Sequence, residues 1–156
     1  MISRKTKANL IAYAIVVLLY FAAMRLQQYS NDTDSADELS LLEPVAQNIF
    51  NDFVTAIETE TEWNVHINSG KRTPEQQAEL KRKDPRNADA FSSKHVLGLA
   101  IDLNLYSTYT LQYIRKSDSR EKWIATGVPA IAKRFGLKWG GDFKNYHDPV
   151  HFEIVY

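Results

Sequence analysis

Two short stretches of this 156-residue chain hold the side chains best suited to chemistry: Ser93-Lys94-His95-Val96-Leu97-Gly98-Leu99-Ala100-Ile101-Asp102, and Asp148-Pro149-Val150-His151-Phe152-Glu153 near the C-terminus. Two imidazoles and a carboxylate form the ligand set of a catalytic Zn²⁺ that keeps its fourth position for water, and His95, Asp102 and His151 fit that set. Such a metal polarises a carbonyl and lowers the pKa of bound water from 15.7 to about 7, which equips a site for amide hydrolysis. A further carboxylate must then accept the water proton and return it to the leaving amine. Asp148, three residues before His151, could reach that water, although Asp148-Pro149 could also simply make a turn.

The elements that must position these groups follow from periodicity. As a strand, Ala100 to Leu105 puts Asp102 on the face shared with Ala100 and Asn104, and turns Ile101, Leu103 and Leu105 to the core. The same alternation from His151 to Tyr156 puts His151 and Glu153 on one face, which makes Glu153 a candidate to support the imidazole. Gly98 lets the chain turn tightly enough to bring His95 over the start of the first strand.

Upstream, Val45, Ile49, Phe53 and Ile57 recur every four positions from Pro44 to about Thr59, with Ala46, Phe50 and Val54 widening the stripe of an amphipathic helix. Trp63, Val65 and Ile67 alternate with polar residues in a strand ending at Ser69-Gly70. His66 lies on its polar side, and nothing ties it to a ligand set. Thr73 as N-cap, Pro74 at the first helical position and Gln76 closing a capping box predict a helix to about Lys83. Arg72 precedes that cap, where a guanidinium can point toward a bound anion or a developing oxyanion. Lys81 to Ala90 reads as a mobile loop. Tyr106 to Ser119 is a polar connection without a clear assignment. The helical spacing of Glu121 to Phe135 is interrupted at Gly127 and Pro129, by a kink or by a fresh start near Pro129. Leu137 to Trp139 should form a short strand.

Composition narrows the class. The length suits one folded body with a core. There are no cysteines, which excludes disulfides and thiolate zinc sites. The formal net charge is zero but unevenly laid out: residues 1–30 hold four basic and no acidic side chains, and residues 31–62 nine acidic and no basic ones. The 19 basic and 19 acidic residues of the whole chain leave 15 and 10 for the remainder, a modestly basic body suited to an anionic polymer such as a cell wall, or an ordinary solvated surface. No aromatic-interleaved basic stripe argues for nucleic acid.

Leu10 to Met24 is almost unbroken in apolar residues, with Arg4, Lys5 and Lys7 before it. It reads as a membrane segment with the N-terminus in the cytoplasm and the body on the extracytoplasmic side. The absence of a small-x-small pair near its end favours an uncleaved signal-anchor over a cleaved signal peptide. We therefore divide the chain into a membrane segment (1–26), an acidic linker read as a tether (27–40) and a catalytic domain (41–156).

Ser93-x-His95-x-x-Gly98-x-Ala100-x-Asp102, Trp139-Gly140-Gly141-Asp142-Phe143-Lys144 and Asp148-x-x-His151-Phe152-Glu153 together resemble the zinc-dependent peptidoglycan peptidases, which include D-alanyl-D-alanine carboxypeptidases and L-alanyl-D-glutamate endopeptidases. The resemblance runs from about Ile67 to Ile154. It implies an α+β domain of hedgehog/DD-peptidase-like fold, with helices flanking an antiparallel sheet. It also implies zinc on His95, Asp102 and His151, Asp148 as general base and acid, and Arg72 as the transition-state arginine. Gln76 or Gln77 falls where a polar substrate contact is expected, and Ser93 would be a substrate-side or supporting hydroxyl. The Trp-Gly-Gly-Asp segment is more typical of the L-alanyl-D-glutamate branch, phage endolysins included; Phe143 replaces a commoner Trp there, and His147 is an extra imidazole. The expected reaction is zinc-dependent cleavage of a peptidoglycan stem peptide between L-Ala and D-Glu by a membrane-held, endolysin-like enzyme. The alternatives are a D-alanyl-D-alanine carboxypeptidase and a wall-binding module without turnover.

Overall fold

The structure is a computed structural model and describes residues 4–155. Along the chain run helices α1 (Arg4–Ser40) and α2 (Pro44–Glu60), strand β1 (Asn64–Ser69), α3 (Pro74–Lys83), β2 (Ala100–Tyr106), β3 (Tyr113–Ile114), α4 (Arg120–Ala125), α5 (Val128–Arg134), β4 (Leu137–Trp139) and β5 (His151–Ile154). A short 3₁₀ turn, Gly140–Asp142, follows β4. The strands form one antiparallel sheet in the order β1-β2-β5-β4, with β3 pairing the far end of β2.

Strand alternation builds the core. Ile101, Leu103 and Leu105 of β2 are fully buried against Phe50, Phe53 and Ile57 of α2, with Trp123 and Phe152. Asp102 and Asn104 on the opposite face are only partly covered. Phe53 meets the Phe152 ring at 5.1 Å and the Phe135 ring at 6.1 Å, which ties α2 to β5 and to the end of α5.

The α2 stripe differs in detail from the expected one. Ala46, Phe50, Phe53, Ala56 and Ile57 are buried, whereas Val45 is exposed. A spacing of four overshoots the 3.6-residue turn by roughly 40° per step, so three steps back from Ile57 carry Val45 roughly 120° off the buried face. The interrupted helix resolves as two: Gly127, in the left-handed region at φ 79°, ends one and starts the other.

Two segments expected to be loose are held. The acidic stretch 27–40 is helical, continuous with the apolar part of α1, and its end is packed: Ser35 and Leu39 are buried. Its polar side chains have somewhere to go. β1 is an edge strand, and side chains take its outward N–H groups, with Glu58 accepting from Val65 and Ser35 from Ile67, both at 3.0 Å. The 81–90 loop is fastened by Lys81 donating to the Pro85 and Asn87 carbonyls, Asn87 to that of Leu80, and Gln77 to that of Ala88.

Within α1, Asn9–Gln27 is a 19-residue apolar stretch with none of its length buried. Leu10, Ile11, Val16, Leu18, Leu19 and Phe21 lie exposed along it.

Candidate metal centre and active-site groove

Strand register brings the ligand candidates together. β2 and β5 pair so that Asp102 faces His151 and Ala100 faces Glu153. His95 comes from the turn before β2, where Gly98 takes φ 67° and lets the chain fold back. His95 Nε2, Asp102 Oδ1 and His151 Nδ1 then stand at the corners of a triangle with sides of 3.1, 3.0 and 3.1 Å. Bonds of about 2.0–2.2 Å to a tetrahedral Zn²⁺ would set neighbouring ligand atoms about 3.3 Å apart, so the triangle needs only a slight opening.

The chemistry of the donor set makes the same point. His95 Nδ1 lies 2.7 Å from the Gly70 carbonyl, which can only accept, so that nitrogen carries the hydrogen and Nε2 offers a lone pair. His151 Nε2 lies 3.1 Å from a Glu153 carboxylate oxygen, which likewise leaves Nδ1 to face the triangle. Three electron-rich atoms therefore converge, with His95 and His151 buried. The cluster needs a positive charge at its centre, from a proton or a cation. Without a cation the proton settles on His151: burial opposes it, but the bonds from Asp102 and Glu153 prevail and push the imidazole up to about 9. Burial would raise Asp102, yet bonds from His151 and His95 hold it well below the usual carboxylate range.

Arg72 is committed on three sides. It donates to Asp102 Oδ2, to Ser69 Oγ at 2.9 Å and to Gln77 Oε1 at 3.3 Å. The guanidinium thus grips the oxygen of Asp102 that is turned away from the triangle.

These groups open into a cavity of about 1010 Å³, lined among others by Arg72, Gln77, Ser93, Asp148 and Glu153. Asp148 reaches it because the loop after β4 approaches closely: Gly140 accepts the Asp148 N–H, and a Cβ on Gly140 would stand 2.3 Å from the Asp148 carbonyl oxygen. Gln77 is buried and faces the cavity. Gln76 is instead spent on the capping box, exchanging bonds of 2.8 and 3.2 Å with Thr73, and does not line the cavity. Neither His66 nor His147 lines it, while Phe143 does, its ring 5.7 Å from that of His151.

Sequence reasoning missed two participants. Lys116 lies in the unassigned 106–119 connection, yet its Nζ sits 2.9 Å from Asp148 Oδ1 and 5.2 Å from the centre of the Tyr146 ring. Burial opposes its charge, but Tyr146 and Asp148 raise its pKa on balance. Glu38 is the other: its carboxylate accepts the Gly70 N–H at 2.6 Å. Neither sits in a recognisable motif, and only the tertiary fold brings them close.

Fold and site together define an α+β domain of the DD-peptidase-like class with a His-Asp-His cluster on one sheet face that could hold a metal ion. More particularly, the chain resembles the zinc-dependent peptidoglycan peptidases: residues 86–154 match the model of a family described as D-alanyl-D-alanine carboxypeptidase. A 68-residue stretch is 34% identical to the peptidoglycan L-alanyl-D-glutamate endopeptidase CwlK of Bacillus subtilis (strain 168), spanning 40% of this chain and 40% of that relative. Among solved structures, the L-Ala D-Glu endopeptidase ChiX of Serratia marcescens shares the fold with a TM-score of 0.57 at 21% identity, over 78% of this chain and 86% of that one. The D,D-dipeptidase VanXYg, solved with a D-Ala-D-Ala phosphinate analogue, follows at 0.52 and 22%, over 73% of this chain and 50% of its own. The D,D-pentapeptidase VanY, solved with Zn(II), gives 0.51 at 19%, over 74% and 73%.

Proposed function

We propose that this protein is a zinc metallopeptidase that hydrolyses an amide bond in the stem peptide of peptidoglycan, between L-Ala and D-Glu. The observation that carries the reading is the convergence of His95, Asp102 and His151 on one point of a groove that also contains Asp148. The relatives named as L-alanyl-D-glutamate endopeptidases favour that bond.

His95, Asp102 and His151 would hold the zinc, which when bound polarises the scissile carbonyl and acidifies the attacking water. The surrounding residues keep the three ligands aimed: the Gly70 carbonyl holds His95, Arg72 holds Asp102, and Glu153 holds His151. Asp148 takes the water proton and delivers it to the departing amine. Lys116 at its side keeps a positive charge where proton transfer takes place. Gln77 and Ser93 lie on the substrate side of the groove. Lys94 and Lys144 add positive charge to the lining, which suits the carboxylates of a stem peptide, whereas Arg86 is paired with Asp84 and Lys83 with Glu79.

The Asn9–Gln27 stretch of α1 serves as a signal-anchor in this reading, with the basic residues before it cytoplasmic and the groove on the extracytoplasmic side. Membrane segment, acidic connection and peptidase domain then divide the chain at about residues 26 and 40. The connection is a helical stalk, and cell-wall degradation of the endolysin kind is the role such an arrangement fits.

Digestion of purified peptidoglycan by the zinc-loaded protein tests the reaction. New D-Glu amino termini are expected. Free D-Ala without them would assign the D-alanyl-D-alanine carboxypeptidase activity instead, and intact wall with bound protein would indicate a binding module.

A further inference from the structure

We infer that Glu38, in the last turn of the helix carrying the apolar N-terminal stretch, is a positioning residue for the metal ligand His95. The inference rests on the reading of His95 as a ligand. Gly70 stands between the two. Its N–H donates to Glu38 Oε2 at 2.6 Å, and its carbonyl accepts the His95 Nδ1 hydrogen at 2.7 Å. One residue thus has its donor fixed by α1 and its acceptor fixed on the imidazole. The bond to Glu38 is charge-assisted, the stronger kind of hydrogen bond. It sets where the Gly70 carbonyl points, and that carbonyl sets the tautomer and the direction of His95 Nε2.

The packing around Gly70 shows how closely α1 approaches. A Cβ there would lie 2.6 Å from the Glu38 carbonyl oxygen, so only glycine admits the helix at this distance. Leu39 is buried beside it, and Ser35, one turn earlier, accepts the Ile67 N–H at 3.0 Å. The chain leaving α1 secures the far side of the His95 turn as well, the Glu43 N–H donating to the Gly98 carbonyl at 3.2 Å. The end of α1 is therefore part of the support of the metal centre.

Titration of the metal-free full-length chain in detergent with Zn²⁺ alone tests this, with apoprotein thermal unfolding measured alongside. Glu38→Ala is expected to weaken zinc binding by about 10-fold or more, the usual cost of losing a group that orients a ligand. Glu38→Gln keeps an oxygen for the Gly70 N–H and is expected to restore most of the affinity. Asp37→Ala, on the exposed neighbour, is expected to bind as wild type. Wild-type affinity in Glu38→Ala would overturn the inference. So would Glu38→Gln binding as weakly as Glu38→Ala with a matching fall in apoprotein melting temperature, since Glu38 would then only dock the helix. A wild-type chain that binds no zinc would instead defeat the ligand reading itself.

Discussion

Asp102 and His151 face each other across the β2–β5 ladder, with His151 Nδ1 3.0 Å from Asp102 Oδ1. Antiparallel pairing places opposed side chains on the same sheet face, so this register alone delivers two of the three candidate ligands with no loop to order. A one-residue slip of β5 along β2 would send His151 to the core side and leave Asp102 without it. The candidate metal centre and the sheet core are two faces of one alternation, in which Ile101 and Phe152 are the buried counterparts of Asp102 and His151.

Replacing Asp148 by Ala should lower the rate of stem-peptide hydrolysis by about 10²–10⁴, the usual contribution of a positioned proton-transfer group. Zinc stoichiometry should be unchanged, because Asp148 is outside the converging triad. Product release and metal content measured on the same preparation check both halves, and unchanged hydrolysis would remove Asp148 from the reaction.

Arg72→Lys should behave almost as badly as Arg72→Ala. A single ammonium cannot span Ser69, Gln77 and Asp102 as the guanidinium fork does. Both variants should weaken zinc binding by about 10- to 100-fold, through loss of the partner that orients Asp102. Competition with a coloured chelator reads this directly; a lysine variant with wild-type affinity would show that charge alone suffices.

Phe53→Ala should destabilise the domain by about 3–5 kcal/mol, since a fully buried ring would leave a cavity between α2, β5 and the end of α5. Chemical denaturation of the apoprotein would show it, and a loss below about 1 kcal/mol would mean that the neighbouring rings collapse into the space.

Much of this was legible in the sequence because local rules carried it. Alternation put Asp102 and Glu153 on the correct faces, and Thr73-Pro74-Glu75-Gln76 announced a helix start that the structure reproduces with both capping-box bonds. Other features depend on partners far away in the chain. Residues 27–40 looked like a tether because their composition is polar, yet Ser35 and Glu38 find their partners in the outward N–H groups of Ile67 and Gly70, more than thirty residues on. Lys116 was invisible for the same reason: its partner Asp148 is brought to it by the fold. Gln76 and Gln77 could not be separated by pattern, and helix rotation assigns one to the cap and the other to the groove.

The continuity of α1 would turn the proposed anchor into a ruler. A helix of 37 residues extends about 55 Å, and the rise from Gln27 to Glu38 accounts for only about 16 Å of it. If Asn9–Gln27 is seated in a bilayer, as proposed, the groove would ride on a stiff post within a few nanometres of the lipid surface. A flexible leash would let the groove sweep widely; under the proposed function this post would instead confine it to the layer of peptidoglycan nearest the membrane.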